Sequence, residues 1–133
     1  MTIPITVLVA EDNEDDLYLS KRVLLKAGVT DIVHVWDGME AMDYLAARGA
    51  YAESALHPRP DVVLLDLKMP HATGHEVLEW LGTQPGLKGI PVYVLTSSDE
   101  PRDRLRAEQA GAHGYLVKPL SSEQVVKIIA SRT

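Results

Sequence analysis

The chain has 133 residues, 46% of them hydrophobic, and 13 Lys plus Arg against 19 Asp plus Glu, for a formal net charge of −6. That size and apolar content fit one domain with its own core, and the acidic balance excludes the broad basic footprint of a DNA-binding or anionic-membrane protein. Cysteine is absent, which removes disulfides, thiolate metal sites and a cysteine nucleophile.

The apolar runs are short. Residues 5–10 read as a first strand, and four more follow at 32–36, Val62–Leu65, 92–95 and Gly114–Val117. None could span a bilayer, and no basic segment precedes an apolar run at the N-terminus, so a cytoplasmic protein is expected. Runs apolar on both faces suit strands covered on both sides. Helical patterns fill the gaps. The first is expected over 15–27, with Leu17, Leu24 and Leu25 on its buried face and Gly28 ending it. The second begins at Asp37, with Glu40 at capping-box spacing and a stripe of Met42, Leu45 and Ala46. Thr73 and Glu76 repeat the device before Val77, Leu78 and Leu81. A fourth helix follows Ser98-Asp99, with Pro101 in its first turn, where a missing N–H costs nothing. The fifth starts at Ser121 with Gln124 three residues on. Leu120 and Val125 stand at staple spacing, and Val125, Ile128 and Ile129 form the stripe.

Five strands alternating with five helices predict a doubly wound α/β fold, in which ligands bind beyond the carboxyl ends of the strands. Glu11 and Asp12 follow the first strand, Asp66 the third, Thr96 and Ser97 the fourth, and Lys118-Pro119 the fifth. Three neighbouring carboxylates repel one another, and a hard divalent cation such as Mg²⁺ relieves the repulsion. With a lysine and a hydroxyl beside them, such a set is arranged to receive a phosphoryl group on a carboxylate.

Residues 7–13, Asp37-Gly38, 61–70, 95–97 and 110–119 together resemble the receiver domains of two-component response regulators, the CheY-like family. The resemblance runs in order along nearly the whole chain and implies a parallel sheet of order 2-1-3-4-5. It implies Asp66 as the phosphorylated residue. It implies Mg²⁺ held by Asp12 and Asp66, by Glu11 less directly, and by the backbone carbonyl of Lys68. Lys118 and Thr96 would contact the phosphoryl oxygens, Thr96 and Tyr115 would form the switch, and Lys118–Pro119 would be cis. A sensor histidine kinase is the implied donor. The long connection 49–60 resembles response regulators associated with bacterial phytochromes, several of which dimerise through helix four, strand five and helix five. The expectation is therefore a single receiver domain over 1–133 with no output domain, acting as a signalling switch and not as an enzyme on other substrates.

Plainer readings stand beside these. Glu14, Asp15 and Asp16 read as a solvated first turn favoured by the helix dipole. His71 and His75, four apart, read as solvent-exposed histidines. Arg102, Arg104 and Arg106 read as a solvated face. Tyr115 reads equally as core packing. Two other functions share the architecture. A flavodoxin-type flavin carrier needs a first loop that cradles phosphate, and residues 11–16 carry the wrong charge. A Mg²⁺-dependent aspartyl-phosphate phosphatase ordinarily has an acid two residues after the nucleophile, where this chain has Lys68.

Overall fold

The computed structural model describes residues 3–53 and 55–132. Five strands, β1 (Ile3–Ala10), β2 (Val29–Val35), β3 (Val62–Leu65), β4 (Val92–Thr96) and β5 (Gly114–Val117), alternate with five helices. These are α1 (Glu14–Lys26), α2 (Gly38–Ala46), α3 (Gly74–Leu81), α4 (Pro101–Gln109) and α5 (Ser122–Arg132). All strand pairs are parallel, and the order is β2-β1-β3-β4-β5, as expected from the sequence.

The two-residue strand period sorts the core into two layers. Val7, Val9, Val62 and Leu64 meet Leu17 and Leu24 of α1 and Val125 and Ile128 of α5 on one face. Leu8, Ala10, Val63, Leu65 and Val94 meet Met42 and Leu45 of α2, Val77 and Leu78 of α3 and Ala107 of α4 on the other. Burial on both faces explains why β1 and β3 read as continuous apolar runs. Among the described residues no helix is long and apolar enough to cross a membrane.

The caps follow the sequence with small displacements. Thr73 and Glu76 form a reciprocal capping box, and Ser121 and Gln124 exchange the same two bonds at 3.0 and 3.2 Å. Asp37 caps α2 through the Glu40 N–H, but the Glu40 carboxylate reaches back to the Trp36 N–H instead of that of Asp37. Asn13 caps α1 by accepting from the Asp16 N–H. The buried stripe of α1 differs from expectation: Ser20 is buried and Leu25 is exposed. Gly28, at φ 96°, turns the chain directly into β2, which therefore starts at Val29 and not at residue 32. The long connection folds over α2. Tyr51 and His57 pack edge-on against Tyr44 and against each other, and the Tyr44 hydroxyl donates to the Pro58 carbonyl at 2.8 Å. Residue 54 of this connection and residues 1, 2 and 133 of the expected domain lie outside the described residues.

Candidate functional site

Parallel pairing brings four strand ends to one edge of the sheet. The Asp66 N–H donates to the Ala10 carbonyl at 3.1 Å, which extends the β1–β3 ladder by one residue, and the Lys118 N–H donates to the Thr96 carbonyl at 2.8 Å. The side chains of Glu11, Asp66 and Lys118 are thereby held by backbone, not by flexible loops. Lys118 Nζ lies 2.7 Å from Glu11 Oε1, 2.8 Å from Asp66 Oδ2 and 2.8 Å from Asp16 Oδ2. The second oxygen of Asp66 accepts from the Lys68 N–H at 3.2 Å. Glu11 Oε2 accepts from the Asn13 N–H at the same distance.

One ammonium shared among three carboxylates leaves a net negative charge in a half-closed site. The Glu11 carboxyl is raised from 4.5 to about 7: burial pushes it up, the Lys118 hydrogen bond opposes this, and the neighbouring Asp66 charge adds to the rise. Burial works against the Lys118 ammonium, but hydrogen bonds to Asp16, Asp66 and Glu11 outweigh it and hold the lysine above its ordinary range. Glu11, Asp12 and Asp66 each bring a carboxylate oxygen within 4.8 Å of the others. Two are buried and Asp12 is open to solvent. An all-oxygen set of this charge and spacing, open on one side, fits a hard divalent cation.

Thr96 is fully buried, and its Oγ1 accepts from the Ser98 N–H at 3.4 Å. The Tyr115 ring is buried, its hydroxyl donates to the Ser98 carbonyl at 2.9 Å, and the Arg104 guanidinium stands 4.8 Å from the ring centroid. Lys68 is exposed. The Lys118–Pro119 peptide bond is cis.

Two of the plainer readings need correction. Asp16 is not a free surface charge, because it binds Lys118. His75 is not exposed. Its ring is enclosed between α3 and α4 with Nε2 3.2 Å from Asp103 Oδ1, while His71 does stay open to solvent. The arginine run is exposed, as expected, and its members still find surface partners. Arg102 lies 3.7 Å from Glu100 and Arg106 2.8 Å from Glu79, while Arg104 covers Tyr115.

A doubly wound sheet with two buried carboxylates and a lysine at its carboxyl edge defines an α/β domain built around an acidic, metal-competent centre. The chain belongs to the response regulator receiver domain family, whose sequence pattern it matches over residues 7–130. It is 37% identical over 128 residues to the probable methanogenesis regulatory protein FilR2 of Methanothrix harundinacea, covering 95% of this chain and 79% of that protein. The bacteriophytochrome response regulator AtBRR superposes with a TM-score of 0.83 at 38% identity, covering 96% of this chain and 91% of the other. The phosphorylated cyanobacterial phytochrome response regulator RcpA gives 0.80 at 35%, covering 96% and 89%. The chain is thus a phosphorylation-dependent receiver of two-component signalling, whose only chemistry is its own phosphorylation and dephosphorylation.

Proposed function

We propose that Asp66 is the phosphoryl acceptor and that a sensor histidine kinase supplies the group. The observation that carries this is the fixed pair at the sheet edge: Asp66 Oδ2 on Lys118 Nζ at 2.8 Å, with Oδ1 tied to the Lys68 N–H. A carboxylate oxygen of Asp66 attacks the phosphorus, the phosphorus–nitrogen bond of the donor phosphohistidine breaks, and the imidazole leaves with the bonding pair. The product is an acyl phosphate. Lys118 turns from the carboxylates to the phosphoryl oxygens, and Thr96 offers its hydroxyl to one of them.

Glu11, Asp12 and Asp66, with the backbone carbonyl of Lys68, would hold Mg²⁺. When bound, Mg²⁺ neutralises charge on the transferring phosphoryl oxygens. The phosphoryl group adds roughly −1.5 to −2 charge near neutral pH, and Thr96 and Tyr115 carry the change to α4, β5 and α5. The likeness to AtBRR and RcpA supports a bacteriophytochrome-type kinase as the partner. The exposed Leu105 of α4 and Val126 of α5 support a homodimer through that face. The acidic charge supports a cytoplasmic domain that binds neither DNA nor an anionic membrane, and the family match over residues 7–130 supports 1–133 as one receiver unit.

Intact mass after incubation with acetyl phosphate and Mg²⁺ tests the assignment. One added phosphoryl group is expected on the wild type and none on Asp66→Asn or a chelated sample. An adduct that persists in Asp66→Asn refutes the acceptor. Failure of the wild type to form either this adduct or a beryllofluoride complex refutes the site as phosphorylation-competent.

A further inference from the structure

Helix α4 has little apolar purchase on the domain. It buries one residue, Ala107, where α2 buries five. Its cap residue, Glu100, makes no side-chain bond to the first turn. Something other than hydrophobic burial must fix the position of its N-terminus.

Asp103 supplies it. An aspartate in the first turn is ordinarily explained by the helix dipole alone. Here both carboxylate oxygens engage neighbouring elements. Oδ1 lies 3.2 Å from His75 Nε2 on α3, and Oδ2 accepts from the Ser98 hydroxyl at 2.5 Å. The hydrogen bonds from Ser98 and His75 hold the Asp103 carboxyl below its usual range. A carboxylate only accepts, so His75 Nε2 carries the hydrogen. His75 Nδ1 is buried with no partner. The imidazole therefore serves through one nitrogen only.

Ser98 is the hub of this arrangement. Its hydroxyl donates to Asp103 and accepts from the Glu100 N–H at 3.4 Å. Its N–H points to Thr96 Oγ1, and its carbonyl receives the Tyr115 hydroxyl. One residue thus ties the buried threonine, the buried tyrosine and the first turn of α4 together, and Asp103 anchors that knot to α3.

We propose that His75, Asp103 and Ser98 form a polar clamp, a set of positioning residues that seats the N-terminus of α4 and makes the state of Thr96 and Tyr115 felt across that helix. The clamp rests on the receiver reading of Thr96 and Tyr115 given above. Without it, Asp66 still takes up phosphate, but α4 no longer reports the event.

The test uses the full chain as wild type, His75→Leu, His75→Gln, Asp103→Asn and Ser98→Ala. Hydrogen exchange over residues 97–110 is followed in the free protein and with Mg²⁺ plus beryllofluoride, and phosphorylation by acetyl phosphate is followed by mass. Loss of one net hydrogen bond at the clamp is expected to speed exchange in α4 about fivefold. This should hold for His75→Leu, Asp103→Asn and Ser98→Ala, with amides of β1 and β3 unchanged. Phosphoryl uptake should persist, and beryllofluoride should no longer slow exchange in α4. His75→Gln places an N–H near the position of Nε2 and should restore wild-type behaviour. Exchange in α4 that stays at the wild-type rate in His75→Leu overturns the clamp. So does acceleration spread equally to β1 and β3, or a glutamine that fails to rescue, since either reduces His75 to core packing. A wild type that takes up no phosphate but shows the exchange pattern in its variants keeps the clamp as the seat of α4 and overturns the receiver reading instead.

Discussion

Gly74 couples the stability of the fold to the geometry of the site, and Gly74→Ala should damage both. Gly74 opens α3, and its N–H donates to the Leu67 carbonyl at 3.0 Å. A Cβ placed there would stand 2.3 Å from the Asp66 carbonyl oxygen, 2.8 Å from Leu67 Cα and 3.0 Å from the Asp66 carbonyl carbon. All three atoms are backbone and cannot rotate away, so α3 must retreat by about 1 Å from the end of β3 to reach ordinary contact near 3.4 Å. Overpacking of this kind costs about 1–3 kcal/mol, and losing the Gly74–Leu67 bond adds about 1 kcal/mol. Greater helix propensity returns at most about 1 kcal/mol. The net expectation is a loss of about 1–3 kcal/mol. With a urea slope of roughly 1–3 kcal/mol/M, the unfolding midpoint should fall by about 1 M. Phosphoryl uptake should slow in the same variant, because the displaced backbone is that of Asp66 itself. Gly86→Ala is the control, since nothing lies within 4 Å of its Cβ position. A Gly74→Ala protein as stable as Gly86→Ala would refute the close-approach argument.

Two further outcomes follow from the same geometry. In the metal-free protein the Glu11 carboxyl is raised from 4.5 to about 7. The native state then binds more protons than the unfolded chain between those values, and this group's contribution to stability falls as pH rises from about 4.5 through about 7. Thermal unfolding in chelator at pH 5 and pH 8 measures the slope, and Glu11→Gln should flatten it; equal slopes in the two proteins would sink the idea. Tyr44→Phe removes the hydrogen bond to the Pro58 carbonyl and should cost about 0.5–1.5 kcal/mol. Limited proteolysis should then cut the connection after α2 sooner than in the wild type.

The carboxyl edge was legible in the sequence because the strands were. A parallel strand fixes where its last residue sits, so Glu11, Asp66, Thr96 and Lys118 could be gathered from chain order and the rule that ligands bind beyond strand ends. What stayed hidden lies on helices, where the rotational phase decides the neighbour. At about 100° per residue, a stripe of Leu17, Leu24 and Leu25 puts Asp16 about 120° from its centre, in solvent. The observed stripe of Leu17, Ser20 and Leu24 rotates that centre by about 45° and brings Asp16 to the rim of the buried face. There it reaches Lys118. Leu25 misled because leucine on a helix is read as core, and Ser20 misled because serine is not. His75 was missed for a related reason. It stands about 110° from the centre of the Val77, Leu78 and Leu81 stripe, outside any apolar face of α3. Its burial comes from α4, a helix with almost no apolar side to signal the contact, and from Asp103, which a single-helix reading assigns to the dipole. A polar junction between two helices leaves no periodicity in either one. For that reason the strand-end residues could be read one at a time, whereas the junction between α3 and α4 emerges only when both helices are placed.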